Sequence, residues 1–118
     1  MKKSVFITLI AFLSFTSSYT QITKKDFIGH WTSDGTSTEC VIWIDKNDNF
    51  QYVSWDRNGG QGLEILSVKY EYNRLIVRTR FKENNWVVTM SFALIDEYNM
   101  TAKIIGDANA IINYKKLK

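Results

Sequence analysis

Side chains that commonly carry catalysis are scarce in this chain. Its 118 residues hold one histidine, His30, and one cysteine, Cys40. Both fall in early strand-like runs, so a Cys–His nucleophilic pair is conceivable, but no third group is implied to orient the base. One His and one Cys are too few for a zinc site. The stretch "DKNDNF" sets Asp45, Asn47 and Asn49 at alternate positions, as at the start of a calcium loop. The sixth place of such a loop must be Gly, and here it is Phe50, so the stretch reads as a hairpin turn. "NGGQG", Asn58 to Gly62, lacks the Gly-Lys-Ser/Thr that cradles a phosphate and opens no helix. It reads as a loop at one end of the domain. No two carboxylates are placed for work on a glycosidic bond. The sequence therefore predicts no enzyme, no metal and no cofactor.

The first 20 residues read as a secretory signal peptide. Lys2 and Lys3 form a positive start, Val5 to Phe15 ("VFITLIAFLSF") an apolar core, and "TSSYT" a polar exit, with cleavage after Thr20. The apolar run is too short for a membrane span, which needs about 20 residues. No Cys follows it to carry a lipid. A periplasmic or secreted domain over residues 21–118 is expected, with no membrane span after cleavage. Without Lys2 and Lys3, 13 basic residues face 12 acidic ones, a net charge of +1. Nothing in that balance asks for a nucleic acid or an anionic membrane surface. A lone Cys excludes an internal disulfide and reads as a buried inert thiol or an intermolecular bridge.

Beyond the leader the chain has no proline and no long helical pattern. Eight runs rich in β-branched and aromatic residues recur between short polar clusters: Phe27–Thr32, Glu39–Ile44, Phe50–Trp55, Leu63–Tyr70, Arg74–Phe81, Trp86–Ile95, Met100–Ile105 and Ala110–Leu117. Pairing Phe81 with Trp86 across "KENN" sets Thr79 opposite Val88, Val77 opposite Met90 and Leu75 opposite Phe92. Pairing Tyr70 with Leu75 sets Val68 opposite Val77 and Leu66 opposite Thr79. Leu66, Val68, Leu75, Val77, Trp86, Val88, Met90 and Phe92 then share an inner face, while Lys69, Arg74, Arg78, Arg80, Thr89 and Ser91 share the outer one. That outer face reads as a solvated basic surface, or as a contact for acidic groups of a protein partner. Around Asp48 the preferred register turns Ile42, Ile44, Phe50 and Tyr52 inward. No helix is available to cover the apolar face. An all-β fold closed as an eight-stranded antiparallel up-and-down β-barrel is expected, with a β-sandwich as the alternative.

"DFIGHW", Asp26 to Trp31, at the head of an eight-strand meander resembles the first-strand motif of lipocalin-like, calycin-type proteins through Phe27, Gly29 and Trp31. "VIWIDKNDNF" and the final "INYKKLK" resemble the second hairpin and closing strand of small bacterial members. The Thr-Asp-Tyr loop motif of larger lipocalins is not found. The resemblance implies that Trp31 plugs one end of the barrel under a basic residue of the last strand, Lys115 or Lys116, and that Gly29 admits a close backbone neighbour. It also implies a binding protein for a small apolar ligand held among Tyr52, Tyr70, Trp86, Met90 and Phe92. The alternative is a protein-interaction module, such as a secreted enzyme inhibitor acting through "SDGTST" and "DRNGGQG". A wide apolar pocket favours the first and a packed interior the second.

Overall fold

The computed structural model describes residues 22–59 and 62–117; the expected leader, residues 1–20, lies outside them. Eight strands follow one short 3-10 helix, Lys24–Phe27. They are β1 (Gly29–Ser33), β2 (Thr38–Ile44), β3 (Phe50–Asp56), β4 (Leu63–Glu71), β5 (Arg74–Phe81), β6 (Val87–Asp96), β7 (Asn99–Gly106) and β8 (Ala110–Lys116). All belong to one antiparallel sheet in the order β3-β2-β1-β8-β7-β6-β5-β4. Every neighbour is joined by a hairpin except β1 and β8, which pair across the two ends of the chain with Trp31 opposite Lys116. The result is a nearly closed up-and-down barrel, not a sandwich.

Alternation explains the core. Leu75 faces Phe92, Val77 faces Met90 and Thr79 faces Val88 across β5 and β6, and all six are buried. Ile42 faces Tyr52 and Ile44 faces Phe50 across β2 and β3, with Asp45–Asn49 as a five-residue loop. Asp45 holds that loop by accepting the Asn47 and Asn49 backbone N–H groups at 2.9 and 3.0 Å. The turn between β4 and β5 has two residues, Tyr72 and Asn73, both at positive φ, the backbone that fits the twist of a tight hairpin. Burial of each large apolar side chain contributes about 1.5–3 kcal/mol.

Four expectations need correction. Phe27 does not open the first strand: it ends the 3-10 helix, which Asp26 holds by accepting the Thr23 N–H at 2.8 Å, and its ring is buried in the core. Leu66 does not face Thr79. A bulge between Ile65 and Ser67 gives that place to Ile65 and leaves Leu66 outside the core cluster. Trp86 precedes β6 and is 46 % exposed, so it is not an inner-face residue. The close backbone approach expected at Gly29 occurs at Gly106 instead, where a Cβ would stand 2.6 Å from the Val87 carbonyl oxygen.

Candidate functional site

The closed end is built by the Gly29–Trp31 stretch. Trp31 is fully buried, and its indole N–H donates to the Phe27 carbonyl at 2.9 Å. Of the two candidate lysines it is Lys116 whose ammonium sits 5.0 Å from the indole centroid. The same ammonium donates to the Asp26 carbonyl at 2.6 Å. Its stem crosses Gly29, where φ is +152° and a Cβ would come within 3.1 Å of Lys116 Cδ. Gly29 thus makes room for a side-chain stem rather than a backbone. Burial pulls the Lys116 pKa down, against the opposing pull of the Asp26 and Glu97 carboxylates.

The interior is occupied by the chain's own rings. Phe92 packs between Tyr52 and Tyr114, with centroids at 5.6 and 5.7 Å. Met90 is buried beside them in the core cluster. Tyr70 packs against Phe27 at 6.1 Å and Phe50 at 5.3 Å and stays partly exposed. The five expected ligand residues are therefore not one constellation. Tyr52, Met90 and Phe92 are in the core, Tyr70 is partly exposed beside Phe27 and Phe50, and Trp86 stands exposed ahead of β6.

Two inward hydroxyls, Tyr52 Oη and Thr79 Oγ1, are buried without a hydrogen-bond partner. The Cys40 thiol and Ser54 hydroxyl are the polar neighbours of Tyr52. Burial pushes the Cys40 pKa up to about 12 and raises those of Tyr52 and Tyr114. Cys40 faces Trp31 on the inner side, whereas His30 lies outside, with Nε2 3.3 Å from Glu39 Oε2 and its ring 5.3 Å from that of Trp55. The only Cys and the only His are on opposite faces of the wall and form no catalytic pair. No cluster of metal-binding side chains occurs among the described residues.

One place in the barrel wall lacks strand pairing. β3 and β4 end the strand order, and no backbone ladder joins them among the described residues. A pocket of about 740 Å³ opens in this seam beside Phe50 and Gln51 on one bank and Ile65 to Tyr70 on the other. A smaller one, about 200 Å³, lies at the other end between Ser54, Trp55 and Asp56 and Leu63 and Phe81. On the outer face next to this seam, Val41 opposes Val53, flanked by Trp43 and Trp55. Trp43 and Val53 are 41 % and 43 % exposed, and Trp55 is 37 % exposed beside the His30–Glu39 pair. This apolar outer face was missed. The signal was present, since "CVIWI" and "FQYVSW" are apolar at both parities, unlike the alternating strands around "KENN".

Comparison of the chain with known protein families, with curated proteins and with solved structures returns no match.

Proposed function

We propose that this is an exported lipocalin-like, calycin-type barrel of the periplasm or cell exterior that acts as a protein-interaction module rather than an enzyme. One contrast carries the reading. The barrel interior is filled by its own rings, while Trp43, Val53 and Trp55 stand in water on the outer face of β2 and β3. Exposed apolar residues grouped around one strand pair, rimmed by Glu39, His30 and Arg57, are the usual composition of a contact surface. The expected contact loops adjoin the same region, because "SDGTST" links β1 to β2 and "DRNGGQG" follows β3. The test is a photo-crosslinking residue placed at Val53 or, as control, at Ser91 on the opposite wall. A discrete adduct at Val53, absent at Ser91 and lost with Trp43→Ser, supports the reading. Equal labelling at both positions refutes it.

A second reading has a specific observation in its favour. The buried Thr79 hydroxyl, which has no hydrogen-bond partner, and the Tyr52 hydroxyl, whose polar neighbours are only Cys40 and Ser54, are groups that a small ligand with one polar end would satisfy. Native mass spectrometry of the exported protein separates the two: a co-purified small molecule favours the ligand carrier, and the bare chain mass favours the protein module.

A further inference from the structure

Tyr72 is the most exposed aromatic among the described residues, at 87 %, and it occupies the two-residue turn between β4 and β5 at φ +54°. Asn, Asp or Gly ordinarily fills such a place, and a bulky residue there is strained. A ring that is both strained and in water points to a use beyond folding. Tyr72 lines a cleft of about 560 Å³ together with Asn73, Arg74 and Lys24. The seam pocket of about 740 Å³ adjoins it, since Lys24 and Tyr70 line both. The partly exposed Tyr70 ring is held against Phe27 and Phe50, and its hydroxyl donates to Asn73 Oδ1 at 3.3 Å. In the seam pocket the side chains of Asn49 and Ser67 make no hydrogen bond among the described residues. Two of the cations are matched locally, Lys24 by Asp48 at 3.4 Å and Lys69 by Glu71 at 3.1 Å. Arg74 reaches the Ser91 hydroxyl at 3.5 Å.

We infer that the two adjoining clefts form one groove for a neutral oligosaccharide, with Tyr72 and Tyr70 as ring platforms and Asn49, Ser67 and Asn73 as polar contacts. The inference goes beyond the interaction-module reading and uses neither Trp43 nor Val53. A sugar ring has a face of C–H groups that packs on an aromatic ring, and a rim of hydroxyls that donate and accept at once. Amide and hydroxyl side chains answer both roles, whereas an ammonium only donates and a carboxylate only accepts. An apolar ligand would strip water from Asn49 and Ser67 without replacing its hydrogen bonds. A strongly anionic one meets Lys24 and Lys69 already engaged by Asp48 and Glu71. Each cleft falls within the range of about 300–1,000 Å³ usual for small-ligand sites. Because the clefts adjoin at Lys24 and Tyr70, the ligand is a chain of linked sugars that places units in both.

The test titrates the exported protein with cellotetraose, maltotetraose, tetra-N-acetylchitotetraose and tetragalacturonate, read by calorimetry and by amide NMR spectra. At least one of the neutral tetrasaccharides should bind and move the signals of Asn49, Ser67, Tyr70 and Asn73. Its disaccharide should bind about tenfold more weakly or worse, because it fills one cleft. Tyr72→Asn should raise the melting temperature by relieving the turn, and should weaken tetrasaccharide binding about tenfold. A ring kept for folding alone would instead lower the melting temperature when removed. Four results would each overturn the proposal: no binding of any neutral sugar in the set, binding of tetragalacturonate alone, signal shifts confined to the other end of the seam around Ser54 and Leu63, or undiminished binding by Tyr72→Asn. Failure of the outer-face crosslink at Val53 would leave this groove untouched, and loss of the groove would leave that contact standing.

Discussion

The β5–β6 wall and the β2–β3 wall bury equivalent inner faces and present opposite outer ones. On β5 and β6 the outward positions are Arg74, Ile76, Arg78 and Arg80 against Ser91, Thr89 and Val87. Polar groups there find one another: Arg80 meets Glu64 at 2.9 Å and Arg74 reaches the Ser91 hydroxyl at 3.5 Å. On β2 and β3 the outward positions are Glu39, Val41 and Trp43 against Trp55, Val53 and Gln51, so four of the six are apolar. A wall that only faces water gains nothing from two exposed indoles, since apolar surface left in water forgoes the stabilisation of burial. The difference between the walls therefore concerns use rather than folding, and each wall can be altered separately.

The largest effect should come from the inner face that the walls share. Val77 is fully buried opposite Met90 and Val68. Val77→Lys puts an unpaired ammonium there at a cost on the order of 5 kcal/mol, comparable to the whole stability of a small domain. Far-UV circular dichroism and size exclusion should report an unfolded chain. A folded Val77→Lys protein would mean that this position reaches water.

Next in size is the closed end. Trp31→Ala removes a fully buried ring, its bond to the Phe27 carbonyl and the platform under Lys116, and should cost about 3–5 kcal/mol in urea melts. A loss below about 1 kcal/mol would show that the plug is dispensable.

The buried ionisable groups give a smaller effect, and its sign follows from their shifts. Burial raises the Cys40 pKa from 9.0 to about 12, and Tyr52 and Tyr114 move up from 10.0. These groups are neutral when protonated, so the fold favours their protonated forms. Their contribution is complete below about pH 9 and is lost as pH rises from there toward about 12, because the unfolded chain ionises first. Urea midpoints should fall from about pH 9 upward, and less steeply in Cys40→Ala. A flat profile, or rapid labelling of native Cys40 by a thiol reagent, would contradict its burial.

How much was legible in the sequence differs between the two walls for the same reason. Around "KENN" and "EYN" the strands alternate apolar and polar residues and their turns are short, so counting back from each turn fixes the facing of Leu75, Val77, Thr79, Val88, Met90 and Phe92. The count fails at Leu66, because "EILS" places two apolar residues side by side and nothing marks the bulge. It also fails at Trp86, where apolar character extends past the last paired residue. In β2 and β3 both parities are apolar, so turn length alone decides the register, and the outward indoles look like candidates for the interior. Lys115 and Lys116 could be separated only by the pairing of β8 with β1, a contact between residues more than eighty positions apart. The seam carried no sequence signal, since it is a pairing that does not form. The ligand candidates were chosen by aromatic type without position, and the fold spreads them out: Tyr52 and Phe92 lie in the core, Tyr70 stands partly exposed at one end of the barrel, and Trp86 is exposed ahead of β6.

The smallest expected stability effect is the most informative about the two walls. Ile76 and Val53 are outward β-branched residues on β5 and β3, and each is at least partly exposed. A lysine at either position keeps its ammonium in water and its stem along the sheet, so Ile76→Lys and Val53→Lys should each shift stability by about 0.5 kcal/mol or less. If both walls were merely solvated, the two variants would remain alike in every other assay. The difference between the walls predicts that they separate. Val53→Lys introduces a charge into the apolar face between Trp43 and Trp55 and should abolish the adduct formed by a photo-crosslinking residue placed at Trp43, because a desolvated unpaired charge is costly at the centre of an interface. Ile76→Lys adds one more cation to a wall that already carries Arg74 and Arg78, and should leave that adduct unchanged. Equal adducts in both variants would assign the outer face of β2 and β3 to solvent. A large loss of stability in Ile76→Lys would instead mean that the arginine-bearing wall is itself covered.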